Sequence, residues 1–471
     1  MKHFMSAAPS LLLMLLGACA SAPPAGQAKP NIIFIYIDDM GYGDLSSYGN
    51  EDIETPNIDR LAAEGIRFTQ FYVNSPICSP SRVAVTTGQY PARHLINSFL
   101  NTRQRNRERG MRDFLDPGVP VIARTFQQAG YATAHFGKWH MGGGRDVDDA
   151  PHPQAYGFDE SLVSFEGLGD RILPPGNLSK QSERLGQGEI RWAPKHEQTE
   201  IYVNRSIDFI RRNQKRPFYL HLWLNDVHDA FQPKEELLPK YARFSDNKYV
   251  QQYYAVIDEM DRQIGRLLDE IDTLGLAEGT LIVLASDNGP TAWPRYYKEG
   301  FAPPGKTNGL RGRKWSLYEG GIREPLMVRW TGRAPAGKVN EETVVAAVDL
   351  FPTFCRLAGL EPPDVAFDGE DMSEVFLGAT RRRKRALFWE YGRDETYLRP
   401  GLREDQSPNL AIRDGDWKLL MNHDGTSVEL YDLSQSSDET NNAAAANPEV
   451  AERLSRRLME WWESLPRLEA Q

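Results

Sequence analysis

Residues 31–40 read NIIFIYIDDM, an unbroken apolar run rich in isoleucine that ends on two adjacent carboxylates. A strand wetted on one face alternates apolar and polar positions. A run without alternation needs cover on both faces, which is the condition of a largely parallel sheet between helical layers. Three more runs read the same way: ATAHF before Gly137, PFYLHLWLN before Asp226 and TLIVLAS before Asp287. Between them lie helical signals. TPNIDRLAAEG offers Thr55 as N-cap, Pro56 at the first position, Ile58, Leu61 and Ala62 on one face and Gly65 at the end. Residues 251–274 carry the spacing of a long amphipathic helix. The alternation specifies an α/β fold, a large mixed but mostly parallel sheet flanked by helices.

The chain has 471 residues with 40% apolar content, enough for one large domain or one large and one small. Its formal charge of -10 excludes a general nucleic-acid binder. The last hundred residues change character: ALFWEY, LAIRDGDWKLLMN and SVELYDL read as short strands, with Asp414-Gly415 at a hairpin turn, before the amphipathic EVAERLSRRLMEWWESL. We expect a main domain over residues 31–380 and an antiparallel sheet with one helix over 381–471, the change falling at the basic run RRRKR, residues 381–385.

The first residues, MKHFMSAAPSLLLMLLGACASAP, combine a basic residue, a short apolar core and small residues. That is an export leader, too short for a membrane-spanning helix. Leu16-Gly17-Ala18-Cys19 resembles a bacterial lipobox, which makes residues 1–18 a lipoprotein signal peptide, Cys19 the lipidated first residue and 19–30 a linker. Ordinary cleavage after Ala20 or Ala22 is the alternative. The expectation is an exported lipoprotein in the periplasm or at the cell surface, held to the membrane by lipid alone. Of the remaining cysteines, Cys355 shares an apolar helical face with Phe351, Phe354 and Leu357 and reads as a core thiol. Cys78, in PICSPSRVAVTTG, has no evident structural use.

In a parallel sheet the loops after the strands converge on one crevice. Four strand exits here supply Asp38 and Asp39, then Lys138 and His140, then His228, then Asp287 and Asn288. Singly, each is more often a cap or a hydrogen-bonded structural residue. Their coincidence points to a site, with Asp38, Asp39, Asp287 and Asn288 as hard oxygen ligands suited to Ca²⁺ or Mg²⁺ rather than zinc.

Cys78-Ser79-Pro80-Ser81-Arg82 with Thr87-Gly88, the stretch GYATAHFGKWHMG at 130–142, IDDMGYGD, SDNG and YEGGIREP together resemble the signatures of the formylglycine-dependent (type I) sulfatases of the alkaline phosphatase superfamily, in their order and over nearly the whole mature chain. The resemblance implies that Cys78 is oxidised to formylglycine by a formylglycine-generating or anaerobic sulfatase-maturating enzyme. The hydrated aldehyde is a diol, which can expel sulfate by collapsing to the aldehyde where a serine or thiol would keep a stable ester. It also implies Ca²⁺, with Mg²⁺ second, bound by the four oxygen ligands and residue 78. Arg82 would lie beside residue 78, Lys138 and Lys314 would contact sulfate, His228 would protonate the leaving alcohol, and His140 would take the diol proton as sulfate departs. Asp287 would accept the attacking hydroxyl's proton.

For the substrate, Arg103, Arg105 and Arg107, with Arg109 and Arg112, are either a solvated loop or a grip on a sulfated carbohydrate. Residues 381–385 have the same two readings, and Trp139, Trp192, Trp223 and Trp315 are candidates for stacking on sugar rings. Two other functions stand beside sulfate ester hydrolysis: a phosphate mono- or diesterase on the same fold, and an inactive lipid-tethered carbohydrate-binding relative.

Overall fold

The computed structural model describes Met1 and residues 29–468; the leader, Cys19 and most of the linker lie outside the described residues. An eleven-stranded sheet forms the centre. Its order runs Lys338–Asn340, Ile66–Tyr72, Arg323–Arg329, Thr280–Ser286, Asn31–Ile37, Phe218–Trp223, Ala132–Lys138, Glu160–Ser164, Arg171–Leu173, Ile190–Trp192, with Val345–Ala346 also on Ile66–Tyr72. The four apolar runs are the four central neighbours, and all four are parallel. Their carboxyl ends therefore open on one edge.

The alternate side chains of these strands feed two cores. Ile33, Ile35 and Ile37 pack with Phe218, Leu220 and Leu222 under the helices Lys195–Asn213 and Lys248–Thr273. Ile32, Phe34 and Tyr36 face the other way, toward the helices Cys78–Thr87 and Leu350–Leu357. Cys355 is a fully buried thiol in that second core. The first helix spans Pro56–Ala63; Thr55 stands at its N-cap position, yet its hydroxyl donates to Asp59 Oδ1 instead of capping backbone.

Ile66–Tyr72 escaped the sequence reading because Arg67 and Gln70 interrupt its apolar pattern. It ends at the same edge as the central four and leads into Cys78. Arg323–Arg329 is antiparallel to both of its neighbours. Its preceding residues, rather than its following ones, therefore reach the carboxyl edge, and they carry Lys314.

The C-terminal region forms a four-stranded antiparallel sheet, Leu387–Glu390, Leu410–Asp414, Trp417–Met421 and Glu429–Asp432, with the helix Pro448–Glu463 against it. Gly415, at φ 63°, turns the hairpin between Asp414 and Trp417. One face makes a small core with Leu454 and Leu458, while Leu387, Trp389 and Leu420 join the main core. Three arginines of the run 381–385 are tied back to the main domain: Arg383 pairs with buried Asp349, Arg381 with Glu370, and Arg385 donates to the Phe367 carbonyl, while Arg382 stays exposed. Among the described residues no helix is long and apolar enough to cross a membrane.

Candidate active site

Cys78 is the first residue of a ten-residue helix whose side chains are all buried. Its thiol donates toward Asp39 Oδ1 at 3.8 Å, and Lys314 Nζ lies 3.4 Å from the sulfur. Burial pushes the thiol well above its ordinary range. Lys314 also contacts both Asp39 oxygens, at 2.5 and 2.6 Å. Its backbone is clamped between two site loops, Lys314 N donating to Pro290 O and Trp315 N to Pro76 O, with Trp315 at φ 73°. Burial opposes the charge on Lys314, but Asp39 and its neighbours outweigh that cost and hold it protonated.

Lys138 Nζ donates to Asp38 Oδ2 at 2.6 Å, and Arg82 donates to Asp287 Oδ2 at 2.7 Å while lying over the rings of Tyr36 and Trp223. Three buried carboxylates thus face three buried cations. Burial alone would raise Asp38, yet Lys138 above all, with His228, Arg82 and Lys314, keeps it well below the usual carboxylate range. Burial and the adjacent Asp38 push Asp287 up to about 7 against the pull of Arg82.

One atom each of Asp38, Asp39, Cys78 and His228 falls within a 4.8 Å cluster able to hold a metal ion. Asp287 and Asn288 adjoin it, the Asp287 carboxylate accepting from Asp39 N and the Asn288 amide donating to Asp39 Oδ1 at 2.7 Å. Asp38 Oδ1 and Asn288 Oδ1 are buried without a hydrogen-bond partner. Two orphaned oxygens in an otherwise bonded cluster are what a hard cation leaves when it is absent, so the donor set fits a divalent ion.

His228 Nε2 is 3.6 Å from Asp39 Oδ2, and its Nδ1 bonds the Asp229 carbonyl. Burial lowers it to about 4, with Asp39 pulling upward. His140 has both ring nitrogens buried and without a partner, and its ring meets Phe165 edge-on at 4.7 Å. Burial, with Lys138 and Arg82 nearby, holds that imidazole neutral. Asp39 and His140 adopt left-handed φ values of 62° and 52°, a strain that clusters at functional sites.

The remaining sequence candidates scatter. Arg103, Arg105 and Arg107 lie on a short helix, Arg103–Glu108. There Arg103 pairs with Asp113, Asp148 and Asp149, and Arg105 with Glu108. The Arg109 guanidinium donates to the Phe99 and Thr396 carbonyls. Trp139, Trp223 and Trp315 are core residues, whereas Trp192 is exposed. A cavity of about 320 Å³ opens from Asp38, Lys138 and His228, and its wall includes Phe165, Arg145, Arg171, Leu178 and Lys195. No motif marks these five: Arg145 and Phe165 lie in loops, Arg171 and Leu178 on short elements, and Lys195 at the start of the helix Lys195–Asn213.

Residues 30–360 match the family profile described as Sulfatase, and residues 311–464 the profile described as N-sulphoglucosamine sulphohydrolase, C-terminal. The chain is 34% identical over 408 residues to N-acetylgalactosamine-6-sulfatase of Canis lupus familiaris, covering 81% of this chain and 72% of that one. It is 29% identical over 503 residues to N-acetylgalactosamine-6-O-sulfatase of Bacteroides thetaiotaomicron, covering 91% and 92%. The crystal structure of Ps i-CgsB in complex with k-i-k-neocarrahexaose superposes with a TM-score of 0.75 at 27% identity, covering 92% of each chain.

Proposed function

This chain belongs to the sulfatase family, as an arylsulfatase-like hydrolase of sulfuric esters, and from that membership we propose that it releases sulfate from a sulfated polysaccharide or its oligosaccharides, with Cys78 matured to formylglycine and Ca²⁺ beside it. The observation that carries the reading is the convergence of Cys78 with Asp38, Asp39 and His228 at the edge where Lys138, Lys314 and Arg82 also arrive. Asp38, Asp39, Asp287 and Asn288 would hold the ion, with Mg²⁺ as the lesser candidate. When both groups are in place, residue 78 supplies a nucleophilic oxygen and the ion supplies positive charge.

The chain's own residues do the rest. Asp38, Asp39 and Asp287 balance Arg82, Lys138 and Lys314 among themselves, so a bound divalent ion leaves net positive charge to meet a sulfate ester. Lys138 and Lys314 bind the sulfate oxygens, and Arg82 fixes Asp287 through its guanidinium. Asp287 takes the proton of the attacking hydroxyl. His228, its Nδ1–H held by the Asp229 carbonyl, takes up a proton at Nε2 as the anionic ester enters and delivers it to the leaving oxygen, where negative charge grows as the ester bond breaks. His140 is held neutral with uncommitted nitrogens, the state a proton acceptor needs.

The names of the relatives support a 6-O-sulfated N-acetylgalactosamine unit as substrate, and the oligosaccharide in the structural neighbour supports an extended sulfated galactan. Maturation by a formylglycine-generating or anaerobic sulfatase-maturating enzyme, export and lipidation at Cys19 complete the proposal. Among the described residues a single cluster of metal-ligating side chains is found, and two-metal phosphatase chemistry asks for a second set. The test is mass spectrometry of the tryptic peptide 68–82 from active protein, paired with sulfate release from 6-sulfated oligosaccharides before and after chelation. Sulfur is expected to be missing from the peptide, and activity to vanish with chelator and return with Ca²⁺. An intact thiol in active enzyme, or faster cleavage of phosphate esters, overturns the proposal.

A further inference from the structure

Resting on that sulfatase reading, we infer that the sugar ring bearing the scissile sulfate is seated against an apolar platform of Phe165 and Leu178, and that this ring carries no second anionic group. The cavity beside the site is of ordinary ligand size, about 320 Å³. Two of the few large apolar side chains left in solvent line it: Phe165, 37% exposed, and Leu178, 44% exposed. Leu173 and Pro174 extend the same wall. Exposed apolar surface in a concave site is a binding surface rather than a packing defect.

The Phe165 ring is held by the catalytic candidates themselves. It meets His140 at 4.7 Å, carries Lys138 Nζ 5.1 Å from its centroid, and lies 6.3 Å from His228. Its backbone sits at φ 48°, followed by Glu166 at φ 52°, and its carbonyl accepts from His140 N at 3.0 Å. A left-handed conformation costs a bulky residue on the order of 1–3 kcal/mol. That cost persists at the one place where the ring is turned into the cavity. Pyranose rings present apolar C–H faces, and an aromatic face fixed next to the sulfate-binding lysine is positioned to receive one.

Charge around the cavity points to the same occupant. Lys138 is paired with Asp38, and the other lining cations are likewise balanced or bonded within the protein. Arg145 Nε donates to Glu166 Oε1 at 2.7 Å. Arg171 donates to the carbonyls of Gly169, Ser182, Gly186 and Gln187. Lys195 Nζ donates to the carbonyls of His228 and Ala230 at 2.6 and 3.0 Å. Glu166 is balanced by Arg145 and Asp229 by Arg295, so no unpaired carboxylate faces the cavity either. A second sulfate or a carboxylate on the bound ring would lose water against Phe165 and Leu178 without gaining a cation. The occupant that fits is a neutral hexose or N-acetylhexosamine with one sulfate.

The test compares kcat/KM by sulfate release from N-acetylgalactosamine 6-sulfate and N-acetylgalactosamine 4,6-disulfate oligosaccharides, using calcium-loaded, matured enzyme. The wild type should prefer the monosulfated ring by about tenfold or more, the scale of an unpaired charge partly desolvated. Phe165→Ala and Leu178→Ala should each lower kcat/KM on the monosulfated substrate about tenfold, chiefly through KM, and Phe165→Tyr should restore most of it. Leu178→Arg should narrow the preference to about threefold or less. Equal rates on the two substrates, or alanine variants with wild-type KM, overturn the platform while leaving a sulfatase. Failure of the wild type to release sulfate from any ester overturns the underlying reading instead.

Discussion

His228 shows how much one side chain's chemistry depends on what holds each of its nitrogens. Nδ1 is tied to the Asp229 carbonyl, which leaves Nε2 toward Asp39 and the cavity. A proton at that nitrogen matters in proportion to the basicity of the leaving oxygen. His228→Ala should therefore lower kcat on sugar sulfates by about 10²–10⁴, the usual weight of general acid catalysis, but 4-nitrophenyl sulfate by less than about tenfold. Parallel losses on both substrates, measured with calcium present, would contradict the role. At this scale the sequence was readable where a motif fixed position, as for Arg82 and Lys138, which meet at Asp38, and Cys78, which meets the adjacent Asp39. It was unreadable where a charge's partner lies far along the chain. The spacing of Arg103 and Arg105 says nothing of Asp148 or Glu108, the carboxylates with which the two arginines pair. Trp139, Trp223 and Trp315 went the same way, since composition does not reveal burial.

Among elements, the two strands Ala132–Lys138 and Phe218–Trp223 were legible as apolar runs, and their register sets His135 opposite His221. Both imidazoles are buried, with the Nδ1 atoms 3.4 Å apart and His221 stacked on Trp223 beneath Arg82. Burial lowers His135 to about 3 and holds His221 well below its ordinary value. The unfolded chain binds a proton at each below about 6.5, while the folded chain refuses it until far lower pH. Their contribution to stability is therefore complete above about 6.5 and is lost as pH falls toward 3. Calorimetry from pH 7 to 4 should show the melting temperature falling. His221→Gln should reduce the slope of unfolding free energy by up to about 1.4 kcal/mol per pH unit, one proton's worth. An unchanged slope would mean that His221 is charged in the native state. Two other elements lay beyond the sequence: polar interruptions hid Ile66–Tyr72, and nothing in an apolar run signals that Arg323–Arg329 is antiparallel, the fact that brings Lys314 to the site.

Over the whole molecule, the small C-terminal sheet does more than cover the main core. Lys418, fully buried on its strand Trp417–Met421, joins Glu319 at 2.9 Å and Glu439 at 2.8 Å. Glu319 also accepts from Tyr72, and its backbone N donates to Glu439. Five residues earlier comes Lys314, and the segment on both sides of it is bolted to the same subdomain: Arg311 donates to the Glu404 and Glu439 carbonyls, Gly312 N to Asp405 and Leu317 N to Ser407 Oγ. Removing one partner of a buried ion network costs about 3–5 kcal/mol, because the remaining charges lose their compensation. Lys418→Met should lower stability by that amount in urea and also lower kcat at temperatures where the variant is fully folded. Leu454→Ala, which opens the subdomain's own small core, should cost a similar 2–5 kcal/mol or so without touching the Lys314 segment. If the two variants lose stability alike and only Lys418→Met loses turnover, the subdomain is a positioning element for Lys314. If turnover follows stability in both, its contribution is to folding alone.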